Sequence, residues 1–263
     1  MSESKYLLET KSITKIYGTI IKTKALNKID LTFKAGEFAS IIGYSGSGKT
    51  TLLNILGALD RPTDGSVWFE GTEVTAMKDD ALATFRNRNI GFIFQFHHLL
   101  PEFSALENVL IPTWIKSHSS SRKMEGRAKE LLELVGLKDR MNNKATDLSG
   151  GQQQRVAIAR SLINEPAMIL ADEPTGNLDS ETTEQVYELM REINARLNTA
   201  FINVTHNDHL AAKSDRIVEM KDGEILKDYF TGERSEDEVW QDVAPKYCRL
   251  CYKDSDEVNN QLL

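Results

Sequence analysis

Cysteine is nearly absent. Cys248 and Cys251 are the chain's two, too few for a disulfide framework and suited to a reducing compartment. Long apolar runs are missing as well. No stretch approaches the roughly 18 residues that a membrane helix needs, and the longest are interrupted by Pro112, charges or glycines. The opening Met1-Ser2-Glu3-Ser4-Lys5 lacks the basic-then-apolar pattern of a secretion signal, so the expectation is a cytoplasmic protein unless a partner holds it at a membrane. There is no surplus of positive charge either. The net charge is −7, which argues against broad nucleic-acid binding. The negative charge gathers late, with eight acidic against four basic residues from Phe230 onward.

What the chain does have is length and an ordinary soluble composition: 263 residues, 40% hydrophobic and 27% charged. That is enough to bury a full core as one large α/β domain, or one domain with a subdomain. Its densest signal is Gly43-Tyr44-Ser45-Gly46-Ser47-Gly48-Lys49-Thr50, a G-x-x-x-x-G-K-T phosphate-binding loop. Residues 38–42 before it read as a buried strand. Residues 51–58 after it read as a helix with Leu52, Leu53, Ile55, Leu56 and Leu59 on one side. The glycines let the backbone come close to phosphate oxygens, and the loop N–H groups and helix N-terminus supply the positive end. Lys49 is placed to reach the β and γ oxygens, and Thr50 to offer a hydroxyl to Mg²⁺.

Around that loop the pattern predicts further elements. Residues 6–16 and 25–33 alternate like two strands, and Ser66–Phe69 reads as a short one. Tyr17, at the first strand's end, packs in a core or rim as a rule. Here it lies about 26 residues before the phosphate loop, where a nucleotide base needs an aromatic face. A helix over 79–87 and a strand over 90–94 lead to Gln95. Ser104 and Glu107 have capping-box spacing. Residues 117–121 read as a polar loop and 122–135 as an amphipathic helix stopped by Gly136. His97 and His98 read as surface or satisfied histidines, since no carboxylate or cysteine lies at ligand spacing. Ser149 and Gln152 form a second capping box opening a helix to Asn164. Its Ser149-Gly150-Gly151 tip suits an anion, although plain capping explains the pattern equally well.

The apolar strand Met168–Ala171 ends in Asp172-Glu173, where a Mg²⁺-organising carboxylate belongs and where Glu173 can polarise a water. A helix over 180–197 follows. A strand over 200–204 ends at Thr205-His206, which makes His206 a candidate γ-phosphate contact. Residues 217–220 and 224–227 flank a hairpin turn.

Taken in order, these segments resemble the ATP-binding cassette family over residues 6–228. Tyr17 stands at the aromatic A-loop position, Gly43–Thr50 at Walker A and Gln95 at the Q-loop. Leu148-Ser149-Gly150-Gly151-Gln152 is the LSGGQ signature, Met168–Glu173 is Walker B with its catalytic acid, Asn177-Leu178-Asp179 is the D-loop, and His206 is the H-loop. Walker A alone indicates any P-loop NTPase, whereas an intact LSGGQ upstream of Walker B is specific to this family. The resemblance implies an α/β fold: a P-loop NTPase (RecA-like) core, an N-terminal antiparallel β subdomain and an inserted α-helical subdomain at about 90–165. It implies ATP and Mg²⁺ as cofactors and a head-to-tail, ATP-sandwiched dimer with a second copy. Lys49, Glu173 and His206 would be catalytic. Tyr17, Gly43, Tyr44, Ser45, Gly46, Ser47, Gly48, Lys49, Thr50, Thr51 and Gln95 would hold the nucleotide. Ser149, Gly150, Gly151, Gln152 and Asp179 would arrive from the other copy, and Thr50, Gln95 and Asp172 would organise the metal.

A narrower likeness lies in Gln95-Phe96-His97-His98-Leu99-Leu100-Pro101-Glu102-Phe103 with Ala105–Val109, which looks like the ATPase subunit of bacterial lipoprotein-releasing transporters. Ala171–Asp179 is shared between that branch and the macrolide-exporter and cell-division relatives. This implies integral membrane permease partners, a peripheral place on the cytoplasmic face of the inner membrane, and no nucleic acid. Residues 96–109 carry more apolar side chains than a free surface needs and are expected to help receive the permease. Soluble cassette ATPases that act on DNA or ribosomes carry long insertions or two fused cassettes, and this chain has neither. Residues 229–263 depart from the branch. Ser235 and Glu238 suggest a capped, short, broken helix, and Cys248 and Cys251 amount to half a zinc site, expected to be two ordinary thiols.

Overall fold

The structure, a computed structural model, describes residues 5–117, 121–232 and 238–239. Alternating apolar positions build the antiparallel strands β1 (Leu8–Tyr17) and β2 (Thr23–Phe33). Fully buried β3 (Phe38–Gly43) runs into the phosphate loop and α1 (Lys49–Leu56). Strands β4 (Asp64–Phe69) and β5 (Thr72–Glu73) return to the first sheet, before α2 (Asp79–Asn89) and β6 (Ile90–Phe94). Three helices follow: α3 (Ala105–Ser117), α4 (Arg122–Leu134) and α5 (Gly150–Leu162). The chain then alternates through β7 (Met168–Asp172), α6 (Ser180–Leu197), β8 (Ala200–Val204) and α7 (Asp208–Ala212). It closes the sheet with β9 (Arg216–Lys221) and β10 (Glu224–Phe230).

The two sheets have orders β2-β1-β4-β5 and β10-β9-β3-β8-β7-β6. In the larger sheet β9, β3, β8, β7 and β6 are parallel and β10 is an antiparallel edge. This is the expected α/β core with an antiparallel β layer and a helical part. The register sets Phe94, Asp172, Val204 and Ile41 side by side. The residues just past those positions therefore meet at one carboxyl edge, where α/β sheets bind ligands.

Helix α1 lies between the sheets. Its Leu52, Leu53, Ile55 and Leu56 join Ile41, Leu170 and Ile202 from below and Leu8, Ile13 and Ile29 from above in one buried cluster. The opposite face of the large sheet, through Phe38, Ile169, Ala171 and Phe201, packs on α3 to α6. Leu59 is a correction. The helix ends at Leu56, Ala58 turns the chain through a φ of 54°, and Leu59 emerges 46% exposed. Residues 118–120, most of the tail and both cysteines, on which the polar-loop, tail-helix and zinc expectations rest, lie outside the described residues. Within the tail, Glu238 and Val239 are helical, and Val239 is fully buried against Ile42, Ala211, Ala212 and Ile217.

Helix α5 packs directly against β6 at Gly91. A β-carbon there would lie 2.4 Å from Ile169 Cδ1 and 2.5 Å from the Ser161 carbonyl oxygen. The replacement Gly91→Ala is expected to push α5 off β6 and β7 and to lower the unfolding free energy by about 1–3 kcal/mol. Urea denaturation of the two proteins measures the difference.

Candidate active site

The phosphate loop closes on itself before any ligand is considered. A β-carbon at Gly43 would stand 2.3 Å from the Met220 carbonyl oxygen, and one at Gly48, whose φ is 100°, 2.5 Å from that of Ala25. Only glycine fits at either place. Lys49 Nζ bends back to donate to the carbonyl oxygens of Gly43 (2.8 Å) and Tyr44 (3.0 Å). Burial pulls its pKa below the usual lysine value, while the negative charges of Glu173 and Asp172 oppose that. The Ser47 hydroxyl is buried and finds no partner among the described residues.

An open cavity of about 400 Å³ gathers Gly43, Ser45, Gly46, Gly48, Lys49, Thr50 and Thr51 with Glu173 and His206, and with Ala25 and Val204. At its base Thr50 Oγ1 donates to Asp172 Oδ1 over 3.3 Å. Burial pushes the Asp172 carboxyl above its ordinary value; the Thr50 hydrogen bond opposes this, Glu173 adds to it and Lys49 opposes it. A buried lysine and a half-buried aspartate thus both lean toward their neutral forms, as expected of a pocket shaped for a ligand that brings its own charges. Glu173 adopts a left-handed φ of 48°, an uncommon conformation for this residue. Its N–H donates to Val204 O over 2.9 Å, and its Oε2 meets His206 Nδ1 at 2.7 Å.

Other residues expected at the site stand around the cavity and not in its lining. Tyr17 is half-exposed; its hydroxyl donates to Asp60 Oδ2 over 2.9 Å, and Lys15 Nζ sits 4.9 Å from its ring centre. Burial raises the Tyr17 pKa, Asp60 adds to this, and a hydrogen bond with Thr51 places the ring beside α1. Tyr44 is exposed. Gln95 exchanges hydrogen bonds with Asn177: Gln95 Nε2 donates to Asn177 Oδ1 and Asn177 Nδ2 to Gln95 O, each 3.2 Å. Thr50, Asp172 and Gln95 offer only oxygen atoms, a hydroxyl, a carboxylate and an amide, which suits Mg²⁺.

The Ser149 turn and Asp179 do not reach this cavity within the same chain. Ser149 caps α5 reciprocally, its N–H donating to Gln152 Oε1 (3.0 Å) and its Oγ accepting from Gln152 N (3.4 Å). Both capping boxes form as the sequence predicts, since Ser104 and Glu107 do the same for α3. Gly151 lets α5 approach α6, because a β-carbon would lie 2.4 Å from Thr182 Cγ2. Asp179 caps α6 through Thr182, whose N–H and hydroxyl together depress its pKa. Sequence reasoning missed Ala25, Lys15 and Asp60. A small residue in an edge strand and two ordinary charges give no signal until the fold brings them beside the loop.

Comparison with known proteins agrees with this arrangement. Residues 26–176 match the ABC transporter family. The lipoprotein-releasing system ATP-binding protein LolD of Bacteroides thetaiotaomicron is 51% identical over 222 residues, which is 84% of this chain and 100% of that protein. LolD 1 of Rhodopseudomonas palustris is 50% identical over 83% of this chain and 98% of its own. Among solved structures, the dimeric post-hydrolysis state of the ATP-binding cassette MJ0796, bound to ADP and Pi, is similar with a TM-score of 0.78 and 41% identity. It covers 87% of this chain and 99% of that one. The cbiO1 protein of Clostridium perfringens, part of the transporter complex cbiONQ, has a TM-score of 0.80 at 26% identity, over 94% and 96% of the two chains.

Lys15 Nζ covers one side of the Tyr17 ring, and stacking of a base on the other side is the expectation from sequence. The variant Tyr17→Ala is expected to weaken ATP binding about tenfold, since stacking contributes roughly 1–3 kcal/mol. Tyr17→Phe, which keeps the ring and loses only the Asp60 bond, should weaken it by less. Titration with a fluorescent ATP analogue separates the two.

Proposed function

This chain belongs to the ABC transporter family, and from that membership we propose that it is the ATP-hydrolysing subunit of a lipoprotein-releasing transporter, working as a pair of copies against membrane permeases. One observation carries the reading: the half-identity to LolD proteins extends over their whole length. The geometry supports the chemistry. On binding ATP, Lys49 turns from the carbonyls of Gly43 and Tyr44 to the β and γ oxygens, joining the loop N–H groups and the α1 N-terminus. Thr50, Asp172 and Gln95 would hold Mg²⁺, which would supply neutralisation of the phosphate charge. Glu173 orients the attacking water, and His206, already paired with it at 2.7 Å, contacts the γ-phosphate. Catalysis of this kind is positioning and charge neutralisation.

The second copy supplies what one chain lacks. Ser149, Gly150, Gly151, Gln152 and Asp179 lie away from their own cavity, on exposed helix tips that can close over the partner's nucleotide. The Gly150 and Gly151 N–H groups and the α5 N-terminus then face the γ-phosphate. ATP therefore draws the copies together, and its hydrolysis releases them.

The permeases would dock beside the helical part. A groove of about 420 Å³ opens between α2 and β6 on one side and α3 and α5 on the other, with Leu59 and Ile115 exposed along it. The structure narrows the expectation for residues 96–109. Ala105, Asn108 and Val109 are core, and Phe103 stacks edge-on against Trp114 with ring centres 6.0 Å apart. Phe96 and Leu100 remain exposed. Fully buried Asn108 holds that loop, accepting from Leu100 N (2.8 Å) and reaching the carbonyl oxygens of Leu100, Phe103 and Ser104. Among the described residues no helix is long and apolar enough to cross a membrane. In this reading the chain sits at the inner membrane's cytoplasmic face by binding the permeases.

Removing the catalytic acid by Glu173→Gln is expected to cut hydrolysis by about 10²–10⁴-fold while ATP and Mg²⁺ shift the protein from one copy to two on size exclusion. A strictly single variant, alone and beside its permeases, would falsify the sandwich. In the intact complex Leu100→Asp is expected to abolish permease-stimulated hydrolysis and leave ATP affinity within about twofold, a change too small to reflect a lost contact. Phe103→Asp should instead lower the melting temperature, because that ring is packed.

A further inference from the structure

The segment that leaves the sheet after Gln95 is fastened to α5 at two places. At one, the His97 side chain reaches the first residue of that helix, its Nε2 standing 2.8 Å from the Gly150 carbonyl oxygen. A carbonyl only accepts, so the ring donates from Nε2 and the proton is on that nitrogen. At the other, Arg160 donates from Nη1 to His98 O (2.7 Å) and from Nη2 to His97 O (2.6 Å). Burial holds the imidazole below its ordinary pKa, with Arg160 and His98 pushing the same way and the Gly150 bond opposing. Burial thus favours the neutral ring, which has a single N–H to direct.

This fastening joins two surfaces. His98 and Arg160 line the apolar groove and Phe96 is exposed, whereas Gly150 belongs to the Ser149–Gly151 turn that caps α5. The Gly150 carbonyl already lies at the start of the α5 hydrogen-bond ladder, and the bond from His97 takes its second lone pair. A bond of 2.8 Å does not stretch by an ångström. A shift of residues 96–98 must either break it or carry the helix tip along.

We propose that His97 is a positioning residue that couples the groove to the Ser149–Gly151 turn: an occupant that moves the Phe96–His98 segment moves the tip that meets the second copy's nucleotide. The inference rests on the transporter reading above, in which a membrane partner fills the groove and the turn acts on the other copy. His97 touches neither nucleotide nor reacting atoms. It works through the main chain of Gly150, which accounts for a half-buried histidine between the exposed Phe96 and His98.

The test uses the full complex of this chain with its permeases in lipid nanodiscs, in three forms: wild type, His97→Phe and His97→Gln. Phenylalanine keeps a ring and removes the donor; glutamine places an amide N–H close to where Nε2 stood. In His97→Phe, kcat for ATP in the complex is expected to fall about tenfold, the size of a typical coupling between sites, with KM unchanged. The isolated His97→Phe chain should bind a fluorescent ATP analogue as the wild type does and melt within about 2 °C of it. His97→Gln should recover at least half of the lost kcat. A His97→Phe complex as fast as wild type overturns the proposal, and so does a His97→Gln complex as slow as His97→Phe. A wild-type chain whose hydrolysis the permeases do not raise fails at the transporter reading instead, and that result is visible before any variant is compared.

Discussion

The resting place of one ammonium group governs this structure. Lys49 sits buried at the start of α1, and its charge is satisfied by the carbonyl oxygens of its own loop at 2.8 and 3.0 Å. Those carbonyls are weak substitutes for phosphate oxygens, because charge-assisted bonds to an anion are roughly twice as strong as neutral ones. The loop can hold this arrangement only because Gly43 and Gly48 allow backbone approaches that no side chain tolerates. Everything else at the sheet's carboxyl edge is arranged around the anion that would relieve it. Asp172 lies under Thr50, Glu173 is turned through an uncommon φ, and His206 closes the side.

The helical part depends on the same edge for a different reason. Gly91 brings α5 against β6, and Gly151 brings its tip against α6. The turn that would meet another copy's nucleotide is thus set by packing contacts well away from any phosphate. Gln95 and Asn177 hold each other across the gap between β6 and the segment after β7, and Gln154 donates to the Pro174 carbonyl from within α5. These polar bonds run alongside the apolar packing of α3 to α6 on the large sheet, and together they hold the helices against the core.

Much of this was legible from residue order alone. Apolar runs marked β3, β6, β7 and β8 closely, because strands buried on both faces have no alternation to confuse. Both capping boxes and the Gly136 stop formed as their spacing dictates, since such signals act within four residues. The phosphate loop, Glu173 and His206, each marked by a local motif, do line one cavity. What escaped was non-local. Leu59 looked like part of a helical stripe until a turn at Ala58 sent it outward. Val109 and Phe103 looked like surface surplus, but their partners lie on α3 and beyond. The bond from His97 to Gly150 spans 53 residues and that from Tyr17 to Asp60 spans 43, and no periodicity announces a polar contact at such range.

Val239 adds a point about chain length. Relatives such as the Bacteroides protein finish after 222 residues, whereas here an aliphatic side chain from beyond β10 plugs a hollow formed by Ile42, Ala211, Ala212 and Ile217. Ile42 immediately precedes the phosphate loop, and α7 immediately follows the His206 segment. A version trimmed after Phe230 to match its shorter cousins would wet that hollow and unseat the backs of both phosphate-facing segments at once. Val239 thus ties its part of the chain to the half of the molecule that carries the phosphate loop.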